Sequence, residues 1–325
     1  MIKFTTWNFK FKLPGKLINS ILLLEEYFTV AIVVLVNVAF LTLLERKILG
    51  FSQIRIGPNK VGSWGLLQPV ADAIKLFTNS MSKLGPINKI IYFGRPALSL
   101  ALTLFFVVLI RPTRGGARLK FSLIFFIMLL SLNIYPLIGA GWGSGSKYAR
   151  LGRLRGVAQT IAYEISLAFL CVALFSFWKR RRIIISLSPL GALSLWAMAS
   201  PLLLLWRITC VAELNRTPFD FAEGESELVS GFNIEYGSIK FALIFIAEYG
   251  IIYFFRVLTF FLFRGQPLFR IMTVSGGVIL RGVIIWVRAT LPRFRYDLLI
   301  VLTWKKVLPW SLRACQIRSL VAFCL

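Results

Sequence analysis

Histidine is absent from the 325 residues. That absence excludes imidazole metal sites, His-ligated haem and any Ser-His-Asp relay. Cysteine is scarce. Cys171, Cys210, Cys315 and Cys324 show no Cys-x-x-Cys spacing and three lie in apolar runs, so they read as free thiols and not as zinc or iron–sulfur ligands. Acids are scarce as well, 13 against 38 basic residues, and the charged fraction of 16% falls below the roughly 25% of a soluble domain. Neither an internal repeat nor a low-complexity segment is visible. What fills the chain is apolar: 58% hydrophobic residues and 14% aromatics exclude both disorder and a polar-shelled globule. The fold class expected is an all-α polytopic membrane protein, one membrane domain over residues 1–325. The formal charge of +25 sits in short basic clusters between apolar runs, which fits membrane lipid headgroups better than nucleic acid.

The first residues, through Lys16, alternate Phe and Lys with no small-residue cleavage site, so no signal peptide is expected. Tyr27 to Leu44 forms a first span that ends at Glu45-Arg46-Lys47. Residues 50–95 form a polar first loop with a turn signal at Gly57-Pro58-Asn59. Inside it, Leu66, Leu67, Val70, Ala71, Ile74 and Phe77 recur at helical spacing opposite Asp72 and Lys75, predicting an amphipathic interfacial helix. Further apolar runs at 96–110, 119–140, 157–178, 187–212, 239–263 and 271–287 give seven spans, each near the ~20 residues a helix needs. The stretch 297–325 is an eighth, interrupted by Lys305-Lys306 and Pro309. Lys147, Arg150, Arg153 and Arg155 fall in one connection and Lys179 to Arg182 in the next, so basic residues do not orient the bundle. The acids do: apart from Glu25 and Glu26, all lie within spans or in connections on one face.

Three sets of residues can carry chemistry. The first is the acidic loop 213–237, which holds Glu213, Asp220, Glu223, Glu225, Glu227 and Glu235, six of the 13 acids, with Arg216 as the only cation. Carboxylates that crowd in low dielectric raise one another's pKa and exchange protons near neutrality. A solvated acidic loop is one reading of this run. The interleaved Phe219, Phe221, Phe232 and Tyr236 suit the other, a buried pocket for a flat ring. The second set is Glu164 and Glu248, carboxylates inside apolar spans, where an ionised group costs about 3 kcal/mol on insertion scales. They read as proton-relay groups or as neutral interhelical hydrogen-bonding groups, with Arg256 a candidate counter-ion for Glu248. The third comprises Glu45, Arg46, Arg55, Asp72 and Lys75 around the first loop, either headgroup-level caps or the polar entry to a crevice. A final charged loop, 288–297, carries Arg288, Arg293, Arg295 and Asp297, and as a snorkelling basic edge it would be ordinary.

Four strings in order, LLERKILGFSQIRIGPNKVGSWGLLQPVADAIKLF, GVAQTIAYEISL, AELNRTPFDFAEGESELVSGFNIEYGS and WVRATLPRFRYDLL, are followed by WKKVLP. Together they resemble the membrane subunit that abuts the quinone site of respiratory complex I, the proton-pumping NADH:quinone oxidoreductase. The resemblance covers about 95 residues between positions 43 and 309. It implies about eight spans, with the acidic face toward the peripheral arm. It implies a quinone cavity lined by Asn215, Arg216, Phe219, Asp220, Glu223, Glu225, Glu227 and Glu235, with Glu45, Arg46, Arg55, Asp72 and Lys75 at the cavity and its entrance and Arg293 and Arg295 in the final loop. It also implies a proton path through Glu164, Glu213 and Glu248. Ubiquinone would be the substrate, with no flavin, haem or iron–sulfur cluster on this chain, and the other complex I subunits its partners. The first 18 residues, Lys179 to Arg182, and 264–286 with Arg270 and Arg281 depart from the family's pattern.

Two competing functions remain at this stage. The related membrane subunit of energy-converting hydrogenases shares the resemblance but is expected without the aromatic-rich quinone loop. A self-contained secondary proton transporter predicts inverted repeats with broken helices, and none is visible. The absence of a targeting sequence together with extreme hydrophobicity suits insertion from within the organelle, the mitochondrial inner membrane, with a bacterial plasma membrane as the alternative.

Overall fold

A computed structural model describes residues 15–80, 88–109, 122–185, 191–221, 236–264, 282 and 284–323. Among these residues every regular element is helical and no strand occurs. Five helices are long and apolar enough to cross a membrane: Glu25–Ser52, Lys89–Phe106, Leu123–Gly143, Lys147–Leu174 and Ser238–Thr259. The chain is an all-α polytopic membrane protein. Large apolar side chains lie exposed along the first of these, Phe28, Ile32, Val33, Val36 and Phe40, as lipid contact requires.

Helix α1 spans Gly15–Ser52 and passes straight through Glu45-Arg46-Lys47. The sequence reading stopped the span at that triplet because hydropathy falls there. Glu, Arg and Lys are strong helix formers, so a drop in hydropathy marks no helix end. The same correction applies to α6, Lys147–Ile185, which absorbs Lys147, Arg150, Arg153 and Arg155 at one end and Lys179 to Arg182 at the other. By hydropathy alone both groups read as connections. At about 1.5 Å per residue, α6 far exceeds the roughly 30 Å hydrocarbon layer.

Between them, the first loop closes over itself at Gly65, whose φ of +70° and the clash of an added Cβ with the Pro58 carbonyl oxygen admit only glycine. The Lys47 ammonium donates to the Trp64 carbonyl, fixing this loop to α1. Helix α2, Gln68–Thr78, starts with Pro69 in its first turn, where a missing N–H costs nothing, and ends with Lys75 complementing the helix dipole. Its apolar residues Val70, Ile74 and Phe77 are exposed, as are Leu66 and Leu67 just before it, the amphipathic face that the periodicity predicted.

Helix α3, Lys89–Leu109, begins seven residues before the apolar run and carries Pro96 inside. The expected span 119–140 is two helices, α4 Ser122–Leu132 and α5 Ile134–Gly143, separated by a turn at Asn133. Pro136 falls in the first turn of α5 and is tolerated there. Helix α7, Gly191–Glu213, ends on the first acid of the acidic loop, and α8 spans Ser238–Arg264. Residues 284–290 are helical, while most of the run 271–287 lies outside the described residues. The interrupted last stretch is continuous helix: α9 Tyr296–Leu302, a π-turn Thr303–Val307 and α10 Leu308–Phe323. The π-turn takes in Lys305-Lys306, and the Leu308 N–H bonds the Thr303 carbonyl five residues back. Rewinding of this kind absorbs the hydrogen bond that Pro309 is unable to donate.

The core is built where α3, α4, α6, α7 and α8 cross. Phe106, Phe126, Leu167, Leu170, Trp206, Phe254 and Phe255 are buried together there. A second cluster, Tyr163, Ala212, Phe219, Phe221 and Leu299, lies between α6, the end of α7 and α9. A third packs Val34, Val38 and Leu41 of α1 against Tyr249 of α8. These last two clusters hold the two sides of the polar site.

Candidate functional site

The Glu45 side chain is buried at 7% exposure, near the end of α1. Its carboxylate accepts hydrogen bonds from Arg216 Nη1 at 3.2 Å, from the Tyr249 hydroxyl at 2.6 Å and from Arg288 Nη1. Four segments far apart in sequence thus meet on one carboxylate. The Arg216 guanidinium also stacks over the Tyr249 ring, 4.4 Å from its centroid. Burial alone would lower the Arg216 pKa, but the facing Glu45 carboxylate and Tyr249 outweigh it and raise the pKa above its ordinary value. Arg216 stays cationic at any physiological pH. A groove lined by Leu41, Leu214, Ile252, Ile284 and Arg256 opens beside Glu45, Arg216 and Arg288.

The loop after α7 is shaped by its own sequence. Asn215 adopts φ +48°, the left-handed conformation that closes a helix C-terminus and that Asn tolerates, and its N–H returns to the Ala212 carbonyl. The Thr217–Pro218 peptide is cis. Phe219, Asp220 and Phe221 are then buried, so at this end the run is no solvated loop. Phe219 packs on Tyr163 and stacks on Phe294, and the Phe294 N–H donates to the Pro218 carbonyl. These contacts bring Arg293 to Asp220, Nη2 to Oδ2 at 3.4 Å.

The three acids of the expected proton path occupy neighbouring helices. Glu213 is buried at 6% exposure on the last residue of α7, its Oε2 without a hydrogen-bond partner, and Glu164 of α6 lies close enough for the two carboxylates to repel. Glu248, the eleventh residue of α8, has Arg95, Arg216 and Arg153 as the cations acting on it, with Asp220 opposing them. Arg256, the counter-ion the spacing suggested, sits instead over the Tyr253 ring. Arg95 and Arg153 are both buried.

Other expected site residues stand at the margin. Arg46 pairs with Asp72 at 2.7 Å, and Gln68 donates to the same carboxylate, but the pair is largely open to solvent. Arg55 and Lys75 are exposed. Arg295 pairs with Asp297 on the surface and does not reach the Glu45 cluster. Glu223, Glu225, Glu227, Glu235 and Phe232 lie outside the described residues.

Sequence reasoning missed Tyr249, a tyrosine in an apolar run with nothing to single it out, and took Arg288 for a basic edge. It also passed over Gln159, fully buried on α6, and the column of Lys240, Tyr92, Tyr236 and Arg95, in which Tyr92 and Tyr236 stack at 4.6 Å. For Gln159 a signal existed, an amide near the start of the apolar run 157–178. Among the described residues, no group of three or more metal-ligating side chains converges.

A family model described as NADH dehydrogenase matches residues 26–318. The chain belongs to that family. Among curated relatives, it is 47% identical over 308 residues to NADH-ubiquinone oxidoreductase chain 1 of Aedes aegypti, covering 91% of this chain and 92% of the relative. It is 44% identical over 312 residues to the protein of the same name from Strongylocentrotus purpuratus, covering 91% and 95%. The family match takes in every element of the site, from Glu45 to Arg293.

Proposed function

We propose that this chain is the quinone-site membrane subunit of a proton-pumping NADH:ubiquinone oxidoreductase, lining the quinone cavity and coupling quinone reduction to proton translocation. The observation that carries this reading is the Glu45 carboxylate, held inside the bundle by Arg216, Arg288 and Tyr249, where α1, α8, the segment 213–221 and the start of the final loop meet. Such a junction responds as a unit to charge appearing beside it. Ubiquinone enters as substrate, and the chain itself supplies no flavin, haem or iron–sulfur cluster, so electrons arrive from a neighbouring hydrophilic subunit of the complex. Other membrane subunits and lipids cover its flanks, and the mitochondrial inner membrane is its location.

Reducing quinone to quinol draws an electron pair and protons into the cavity. A proton taken from this corner changes the charge that Glu45 presents to Arg216, and both Arg216 and Asp220 act on Glu248. Glu248, Glu213 and Glu164 then serve as successive stations leading away from the cavity. Ionised carboxylates are costly at this depth, so their protonation is sensitive to small movements of the charges around them. The acids Glu223, Glu225, Glu227 and Glu235 complete the cavity-side cluster in this reading.

Glu248→Gln preserves shape and hydrogen bonding but is unable to ionise. The expected result is an assembled complex whose NADH:ubiquinone turnover and membrane potential fall at least tenfold, with Glu248→Ala no less impaired. Full pumping by Glu248→Gln overturns the relay.

A further inference from the structure

The Gln159 side chain is fully buried on α6, and its Nε2 makes two hydrogen bonds. One goes to the Ala212 carbonyl at 2.7 Å, the other to the Phe219 carbonyl at 2.9 Å. Both acceptors are carbonyl oxygens, so only the NH2 end of the amide satisfies them and its orientation is fixed. Ala212 precedes Glu213, and Phe219 precedes Asp220. One side chain therefore clips both ends of the turn that carries these two carboxylates. It does so from the helix that bears Glu164. In place of the amide, Leu and Met would fill the volume without donors, and an acid offers at most one O–H.

The remaining oxygen, Gln159 Oε1, is buried without a partner, and so are Tyr163 Oη, Glu213 Oε2, Asn215 Oδ1 and Thr217 Oγ1 around the same turn. Buried polar atoms of this kind are ordinarily satisfied by ordered water. The corner is thus polar, and the amide bounds it on the α6 side.

We propose that Gln159 is a positioning residue for the coupling reaction: its amide holds the Ala212 and Phe219 carbonyls together, and so fixes Glu213 and Asp220 relative to each other and to α6. This rests on the reading above that Glu213 belongs to the proton path. A packing role would need only the side chain's volume. A positioning role needs hydrogen-bond donation to these carbonyls, and a single donor restores part of it.

The test uses Gln159→Leu and Gln159→Glu in the assembled membrane-bound complex, with NADH oxidation by a water-soluble acceptor as the measure of assembly. Gln159→Leu is expected to keep that activity and to lose about tenfold in quinone turnover, with kcat falling more than KM changes. Gln159→Glu is the sharper variant. Protonated, it donates to one carbonyl; ionised, it repels both. Its quinone turnover is expected to recover toward acidic pH, displacing the pH profile relative to the wild type. Normal turnover and an unshifted pH profile in Gln159→Leu overturn the proposal. Where Gln159→Leu fails to assemble, Gln159→Glu decides: no acid-side recovery overturns it as well. Glu213→Gln separates this inference from the one beneath it. An impaired Glu213→Gln beside a normal Gln159→Leu removes the clip alone, whereas a fully pumping Glu213→Gln removes the proton path.

Discussion

Two regions use the same residue types to opposite ends. In the buried corner, Glu45 is shared by Arg216, Arg288 and Tyr249, and Asp220 reaches Arg293. On the first loop, Arg46 and Asp72 form a pair of good length, but their side chains are 54% and 36% exposed, against 17% and 10% for Arg216 and Glu45. A length of 2.7 Å in the open is worth less than 3.2 Å inside, because water screens the first pair and is excluded from the second. The charges of the corner are shut in with one another. The first loop is a surface whose charges already have solvent.

The largest effect that would sharpen this contrast is Glu45→Gln. It leaves two guanidiniums facing a neutral amide in a buried place. Breaking a buried ion pair by removing one partner costs about 3–5 kcal/mol. The expected outcome is loss of assembled complex, or assembly with quinone turnover below a tenth of wild type, read from the yield of intact complex and its NADH:ubiquinone activity. Wild-type assembly and turnover would dissolve the distinction between corner and surface.

Asp220→Asn sits between the extremes. Asp220 is buried while Arg293 keeps about a third of its side-chain exposure, so the discounted pair is worth about 1 kcal/mol. Asparagine keeps one acceptor for the guanidinium. A loss of roughly fivefold in quinone turnover is expected, with assembly retained, measured across a series of short-chain quinone concentrations. An effect as large as that of Glu45→Gln would mean that the corner extends further toward Arg293 than its exposure indicates.

How much of this was legible in the residues follows from which physics each feature uses. The amphipathic stripe of α2 and the membrane class were plain because periodicity and composition act locally. The ends of α1 and α6 were not, because a charged residue alters hydropathy without breaking a helix. Glu164 and Glu248 stood out as acids inside apolar runs, where an isolated charge is costly, while Glu213 and Glu45 stood out only as members of charged clusters beside spans. Tyr249 and Arg288 did not, because their role arises only when α1, α8 and the final loop converge on one carboxylate. Arg256 is the instructive error: its spacing on α8 was right for a counter-ion to Glu248, but the acting cations come from α3, α6 and the turn after α7. Helical spacing proposes partners on one helix, and a bundle supplies them from others.

The smallest effect tests the other half of the comparison. A double-mutant cycle on Arg46→Ala and Asp72→Ala isolates the pair across α1 and α2. Exposed pairs return about 0.2–1 kcal/mol in such cycles, and long side chains lose rotamer freedom in making them. Gln68 also holds Asp72 at 2.9 Å, so removing Arg46 does not leave the carboxylate alone. The coupling expected is therefore under about 1 kcal/mol, and it should shrink further as salt is raised. The quantity to follow is the thermal stability of the assembled complex in detergent at low and high ionic strength. Quinone turnover should change less than twofold in each single variant. A coupling of several kcal/mol that resists salt would show that, in the assembled complex, this pair is shut away from water as fully as Glu45, and the first loop would then belong to the site and not to its surface.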